Sequence, residues 1–201
     1  MKVIKLQVNS YAYDELSDKA KENAFNNWYN NEIEFVSMND DYRKTLDVFC
    51  TEFDVSVFGW SVTDYDNYYR FELQTNNANI DNFSGIRLAK YIYNNYYSSM
   101  ITKKYNAISK LFISKDCALT GCCTDDAILQ PLFDCVDYKK SFFDYNNLID
   151  TCLRAFFNSW SEELKYQHSK ECFEENYASE ENYTIDGETI SILCNYEEIT
   201  K

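Results

Sequence analysis

Segment 145–164 constrains the fold more than any other part of the chain, because apolar side chains recur in it at steps of three and four residues. These residues are Tyr145, Leu148, Ile149, Cys152, Leu153, Phe156, Trp160 and Leu164. An α-helix has 3.6 residues per turn, so this spacing places all of them on one face. The segment therefore predicts a long helix with a buried face.

Residues 14–30 predict a second amphipathic helix. Four-residue steps separate its apolar residues, which are Leu16, Ala20, Ala24 and Trp28. Asp14 or Ser17 can cap its first turn. Its opposite side is polar and carries no reactive constellation, so we interpret this helix as scaffold.

Three further helices follow from the same periodicity. One is expected to begin at Asn39 or Asp40 and to bury Tyr42, Leu46, Phe49 and Cys50. A long one is expected after Gly85, with Ala89, Ile92, Tyr93, Tyr96 and Met100 on one face. A shorter one is expected after Ser169, bearing Phe173 and Tyr177.

Strand-like runs occur at both ends of the chain and in its first half. Residues 3–8 alternate, residues 55–62 and 68–73 flank a polar turn, and Asp186-Gly187 separates 183–185 from 189–193. These patterns predict an N-terminal strand, a central hairpin and a C-terminal hairpin. The fold class is therefore α+β, with several helices packed against one face of a small, mostly antiparallel sheet that joins all three.

The length of 201 residues is typical of one domain, and we predict a single α+β domain over 1–201. Residues 114–143 are the least regular part. They are expected to form an insertion with one short helix, and they contain Cys117, Cys122, Cys123 and Cys135.

Net charge narrows the classes of partner. The chain holds 33 acidic and 19 basic residues, a net charge of −14, and residues 150–201 alone hold twelve acids against four bases. Such a protein repels nucleic-acid phosphates and anionic membranes, so neither is an expected direct partner. Basic protein surfaces, which in a cell are mostly nucleic-acid-binding grooves, attract it.

The N-terminal residues alternate like a strand and lack the apolar segment of a signal peptide. No apolar run approaches the ~20 residues of a membrane span. We therefore expect a cytoplasmic protein whose cysteines are free thiols.

Catalytic motifs are scarce. His168 is the one histidine, and no nucleophile elbow, zinc-protease motif, phosphate-binding loop or dinucleotide-binding glycine run occurs. His168 precedes Cys172 by four residues, which on a helix would put both on one face. The two side chains could form a thiol–imidazole couple or a pair of metal ligands. We favour the other reading, in which His168 is a partly exposed residue at a helix end. No catalytic residue and no cofactor are predicted.

Two groups of residues have side chains of the types that bind metal ions. Only one spacing within Cys117, Cys122, Cys123 and Cys135 suits structural zinc, so free thiols are favoured over a zinc site. Asp64 and Asp66 form an Asp-x-Asp turn without the glycine of a calcium loop, so a solvated turn is favoured there.

The stretch "ECFEENYASEEN", residues 171–182, is the most suggestive charged feature. It contains Glu171, Glu174, Glu175, Glu180 and Glu181, the first three at helical spacings that set them side by side. It is either a solvated face or a surface that docks on a basic groove by electrostatic steering. Asp64, Tyr65 and Asp66 form a second expected partner-binding edge.

Three stretches resemble a family of small phage and prophage proteins. "YDELSDKAKENAFNNW" is similar to the family's ELSxxAKxxA opening helix, "VSVFGWS" with "YYRFEL" to its central hairpin, and "FEENYASEENYTIDGETI" to its terminal helix and Asp-Gly hairpin. Residues 63–67 replace the family's glycine-rich turn, and the cysteine-bearing insertion is not part of its pattern. The resemblance implies a mobile element inside a bacterial cell, where small acidic proteins are often counter-defence factors.

These observations together predict a non-enzymatic inhibitor of a bacterial defence system. It would be an anti-CRISPR that binds the nucleic-acid-binding groove of a Cas effector stoichiometrically, in the cytoplasm of the host. Two alternatives stay open: a metal-dependent enzyme acting on a nucleotide signal, and a phage regulator or assembly protein that binds a host protein.

Overall fold

A computed structural model describes residues 9–31, 37–74, 80, 83–97 and 118–190. This part of the chain contains six α-helices and one two-stranded antiparallel sheet, which confirms the α+β class. The elements in chain order are α1 (Asp18–Asn31), α2 (Ser37–Glu52), β1 (Val55–Val62), β2 (Asn67–Leu73), α3 (Gly85–Ile92), α4 (Thr124–Val136), α5 (Tyr145–Gln167) and α6 (Lys170–Asn176). None of the helices within these ranges is long and apolar enough to cross a membrane.

The chain divides into two compact units. The first unit comprises 1–34 and 164–201, and the second comprises 35–163. Helix α5 belongs to the second unit as far as Glu163 and to the first from Leu164. The prediction of one domain over 1–201 stays a prediction, and each unit is described by itself.

The first unit is built on the apolar stripe that the sequence predicted, although α1 begins at Asp18 rather than Asp14: Tyr13–Glu15 form a 3-10 turn, and Leu16, which is buried, precedes the helix. Its buried cluster contains Tyr13, Leu16, Ala20, Ala24, Trp28, Phe173, Ala178 and Tyr183. Helix α1 begins after Ser17, whose Oγ accepts a hydrogen bond from the amide of Ala20 at 3.3 Å. Trp28 and Phe173 bring α1 and α6 together, with ring centroids 5.2 Å apart.

The second unit is organised by α5, and the predicted burial of its apolar face is confirmed. All eight residues of the 145–164 pattern are buried, and Phe157 joins them. Helix α2 buries Tyr42, whose ring stacks on Trp160 with centroids 5.1 Å apart. The hydroxyl of Tyr145 donates a hydrogen bond to the carbonyl of Phe53 at 3.2 Å, so the polar end of this buried side chain is satisfied.

The predicted central hairpin is confirmed as β1 and β2, with an irregularity that decides which side chains face α5. Phe58 pairs with Arg70 but Ser61 pairs with Tyr68, so β1 carries one extra residue between them. Gly59 lies there at φ +54°, a conformation that favours glycine. The bulge lets Trp60 reach the helix: its ring lies 5.2 Å from that of Trp160.

The segment expected to form an irregular insertion contributes a buried helix. Ten of the thirteen residues of α4 are buried, and the helix continues through Pro131. Proline inside a helix costs about 3 kcal/mol, so burial of the neighbouring apolar residues must outweigh that cost. The expected short helix is therefore present and belongs to the core of the second unit.

A buried carboxylate closes the loop before α4. Asp125 is fully buried and accepts hydrogen bonds from the amides of Leu119, Thr120 and Gly121 at 2.7–3.1 Å. The hydroxyls of Thr120 and Thr45 donate to its other oxygen at 2.7 and 2.8 Å. Because every donor is neutral, this carboxylate orders the loop without an ion pair.

Three predicted elements differ from the structure or lie at least partly outside the described residues. The N-terminal strand at 3–8 lies outside the described residues, so the joined sheet stays a prediction. Around Gly187 the chain turns back, and Tyr183 forms isolated antiparallel bridges with Thr189 and with Tyr11 in place of a regular hairpin ladder; residues 191–193 of the predicted second strand lie outside the described residues. Helix α3 passes into a π-helical turn, Tyr93–Tyr97, and the rest of the expected long helix lies outside the described residues.

Candidate protein-binding surface

The five glutamates predicted as a binding patch lie in the first unit and are here called the acidic surface: Glu171, Glu174, Glu175, Glu180 and Glu181. Helix α6 positions the first three. Ser169 caps it by accepting the amide of Cys172 at 3.1 Å, and Phe173 is buried on its inner side. The glutamates of α6 therefore face solvent; Glu180 is also exposed, and Glu181 is partly exposed.

Tyrosine hydroxyls orient two of these carboxylates. Tyr13 donates a hydrogen bond to Glu174 at 2.9 Å, and Tyr166 donates one to Glu175 at 2.9 Å. Burial and the adjacent Glu174 raise the pKa of Tyr13 above its ordinary range, and the bond to Glu175 raises the pKa of Tyr166. Both phenols therefore stay protonated at neutral pH and hold the carboxylates in fixed directions.

Basic side chains are few around these acids. The described residues of the first unit hold eleven acidic residues against four basic ones, a net charge of −7. Lys170 pairs with Glu22 across α6 and α1, with Nζ 3.1 Å from Oε2, and this pair is exposed. Exposed ion pairs stabilise little, so the surplus charge is not explained by folding.

The second predicted edge, Asp64, Tyr65 and Asp66, lies at the tip of the β1–β2 hairpin in the second unit. Tyr65 has 88% of its surface exposed. The turn is nevertheless well ordered, because Thr63 accepts the amides of Tyr65 and Asp66 at 3.3 and 3.0 Å. The two predicted sets of partner-binding residues thus belong to different units.

The alternative that sets His168 and Cys172 on one helix face, which the sequence did not favour, is excluded. Helix α5 ends at Gln167 and α6 begins at Lys170, so the chain breaks helical geometry between the two residues. Cys172 is buried, whereas His168 is partly exposed at the helix end, which is the reading that the sequence favoured. The His168 imidazole and the Tyr29 ring form an edge-to-face pair, with ring centroids 5.8 Å apart.

The described cysteines of segment 114–143 lie at opposite ends of α4. Cys122 and Cys123 immediately precede the helix and Cys135 is buried near its end, so at 1.5 Å per residue roughly 18 Å separates Cys123 from Cys135. One ion cannot bind both ends at the ~2.3 Å of a zinc–sulfur bond. Cys117 lies outside the described residues. Within the described ranges, no three His, Cys, Asp or Glu side chains are grouped to hold a metal ion.

Sequence reasoning missed several residues that the structure makes prominent. Tyr13 and Tyr166 hold glutamates that are distant in sequence or lie on the next helix, and no local pattern marks such pairs. Phe58, Tyr68 and Arg70 lie on the outer face of the hairpin. The alternation of β2 carried a signal for Tyr68 and Arg70, since Tyr69, the one residue between them, faces α5.

Comparisons with known proteins leave this surface to be interpreted from its own geometry. No family profile matches the chain, and no match was found among curated proteins or among solved structures. The resemblance to a phage and prophage family therefore stays a prediction, and the chain is assigned to no family.

Proposed function

We propose that this protein is a phage- or mobile-element-encoded inhibitor that binds the basic nucleic-acid-binding groove of a bacterial defence nuclease, in the manner of an anti-CRISPR on a Cas effector. It acts stoichiometrically and makes or breaks no covalent bond. The observation that carries the proposal is the acidic surface, where negative charge is concentrated on an ordered scaffold with few basic neighbours.

The acidic surface suits such a groove for two physical reasons. Its charge accelerates encounter with a cationic partner, and the effect weakens as salt is added. The tyrosine hydrogen bonds to Glu174 and Glu175 also restrict those side chains before binding, which lowers the entropy lost in the complex. A groove that normally holds phosphates at regular intervals is the partner to which fixed carboxylates are complementary.

The decisive experiment titrates the protein into purified Cas nuclease complexes and measures DNA cleavage. We expect complete inhibition near one molecule per complex, with a potency that falls as ionic strength rises. Reversal of Glu171, Glu180 and Glu181 to lysine should weaken inhibition by about 10-fold to 100-fold. Glu174 and Glu175 are left unchanged because they accept hydrogen bonds from Tyr13 and Tyr166, so their reversal would also disturb contacts within the first unit.

A charge-matched control separates the acidic surface from net charge. Reversal of Asp47, Glu52 and Glu162, which are exposed in the second unit, also changes the total from −14 to −8, since each reversal adds two charges. Inhibition should survive in that variant. Equal loss in both variants, or full potency in the first, contradicts the proposal. Inhibition well below one molecule per complex indicates an enzyme instead.

A further inference from the structure

The outer face and tip of the β1–β2 hairpin expose aromatic side chains that packing does not require. Phe58 and Tyr68 are 41% and 46% exposed, and Tyr65 at the tip is 88% exposed. The ladder sets Phe58 opposite Arg70, and the guanidinium of Arg70 lies over the Tyr68 ring, 5.5 Å from its centroid. This face is opposite the one that carries Tyr69 onto Phe157, with ring centroids 4.9 Å apart.

The turn that presents Tyr65 is held by hydrogen bonds that do not involve the Tyr65 side chain. The amide of Thr63 donates to the carbonyl of Asp66 at 2.9 Å, and the Thr63 hydroxyl accepts the two following amides. Asn67 ties the turn to α5 through Asn158 at 2.9 Å. A tyrosine held on an ordered turn is a binding anchor that loses little conformational entropy on association.

The charge of the hairpin indicates which kind of partner could bind this face. Residues 54–74 hold four acidic residues and one basic residue, a net charge of −3, and two of the acids flank Tyr65. A nucleic-acid strand would be repelled by these acids, and so would a second copy of this chain with its charge of −14. Guanidinium groups suit the face best, because they stack on aromatic rings and pair with carboxylates.

We propose that the hairpin is a second docking surface, on which Tyr65 stacks against an arginine of a basic protein while Asp64 and Asp66 pair with its guanidinium charge. The inference rests on the proposed function only in that its partner is the same class of protein. Arg70 on Tyr68 shows, within this chain, the stacking geometry that the partner's arginine would adopt at the tip.

The test is an NMR titration of the full chain with an oligoarginine peptide and with an oligolysine peptide of equal length. We expect the backbone amides of Thr63 to Asn67 to shift with oligoarginine and to saturate. Lysine lacks the planar guanidinium, so oligolysine should bind the tip more weakly. Tyr65→Ala should weaken oligoarginine binding at the tip by about tenfold, and Tyr65→Phe should preserve it.

Phe143→Ala is the matched control, because Phe143 is 87% exposed in the same unit but lies outside the hairpin. It should leave the shifts of the tip unchanged. Hairpin amides that stay silent, or that respond equally in Tyr65→Ala, overturn the inference. So do shifts produced by oligothymidylate or by raising the protein concentration alone, which indicate a nucleic-acid strand or a second copy as the occupant.

The outcomes for the two proposals are separable. A silent hairpin with intact sensitivity of nuclease inhibition to Glu171, Glu180 and Glu181 refutes the hairpin surface and leaves the proposed function standing. A responsive hairpin in a protein that inhibits no nuclease complex supports the arginine-binding surface and refutes the proposed function.

Discussion

The two compact units differ in charge density: over the full sequence the first has a net charge of −8 on 72 residues and the second a net charge of −6 on 129 residues. In the first, 50 described residues hold eleven acids against four bases, a net charge of −7. In the second, 100 described residues hold sixteen acids against eight bases, a net charge of −8. Among these described residues, the net negative charge per residue is thus nearly twice as high in the first unit.

The units also use their carboxylates differently. In the second, Asp125 is buried in a network of hydrogen bonds, and Asp150 accepts the hydroxyl of Tyr69 at 2.9 Å while pairing with Arg154. In the first, carboxylates surround an aromatic core without entering it. The second unit thus has a carboxylate buried within its fold, whereas the described carboxylates of the first unit all lie at its surface, where Glu174 and Glu175 accept tyrosine hydroxyls.

The largest expected effect concerns Asp125. Asp125→Ala leaves three amides and two threonine hydroxyls without their acceptor, so the free energy of unfolding should fall by about 4 kcal/mol. Urea denaturation followed by circular dichroism measures it. Asp126→Ala, an exposed neighbour in the same helical turn, should cost less than about 1 kcal/mol. Similar losses in both variants would remove the structural role assigned to the buried carboxylate.

The next effect tests packing in the first unit at Gly187. A Cβ there would lie 2.0 Å from the carbonyl oxygen of Ala20, and φ is +86°. Gly187→Ala should therefore lower the free energy of unfolding by about 3 kcal/mol. Gly121 has φ +88° with open space around it, so Gly121→Ala should cost only about 1 kcal/mol, the strain alone. Equal costs would show that α1 and the 182–190 turn are not in close contact.

A smaller effect should appear at alkaline pH. Burial raises the pKa of the Cys50 and Cys135 thiols from 9.0 to about 11, both in the second unit. Because the folded-state pKa is raised, the protonated thiols contribute to the free energy of unfolding. That contribution is complete below pH 9 and is lost as the pH rises through about 11. The urea midpoint should therefore fall between pH 9 and pH 11. The variant with Cys50→Ala and Cys135→Ala should show a shallower fall, and an unchanged slope would contradict the assignment.

The smallest effect is expected for Lys170, which forms the exposed pair with Glu22. Lys170→Ala should change the free energy of unfolding by less than about 0.5 kcal/mol, because exposed ion pairs contribute little. Thermal denaturation measures it, and Lys165→Ala in the same unit is the control. A loss above about 1 kcal/mol would mean that charge pairing stabilises the first unit after all.

Local periodicity predicted those helices and strands that are specified by the spacing of apolar residues within a single segment. The buried face of α5, the stripe of α1 and the β1–β2 hairpin all follow from spacing within one segment, and all are confirmed. Spacing alone left open that His168 and Cys172 share a helix face. Ser169 excludes this alternative, because it caps the helix that was predicted to begin after it, between the two residues.

Composition and local spacing were enough to predict the net charge, the class of fold and the buried faces of the longest helices, because they act within a few residues. Long-range packing established the rest: helix α4 runs through Pro131, Asp125 is buried, and distant tyrosines orient the glutamates of the acidic surface. Those features depend on groups brought together from separate parts of the chain. Their free energy comes from burial and from hydrogen bonds that no single segment contains.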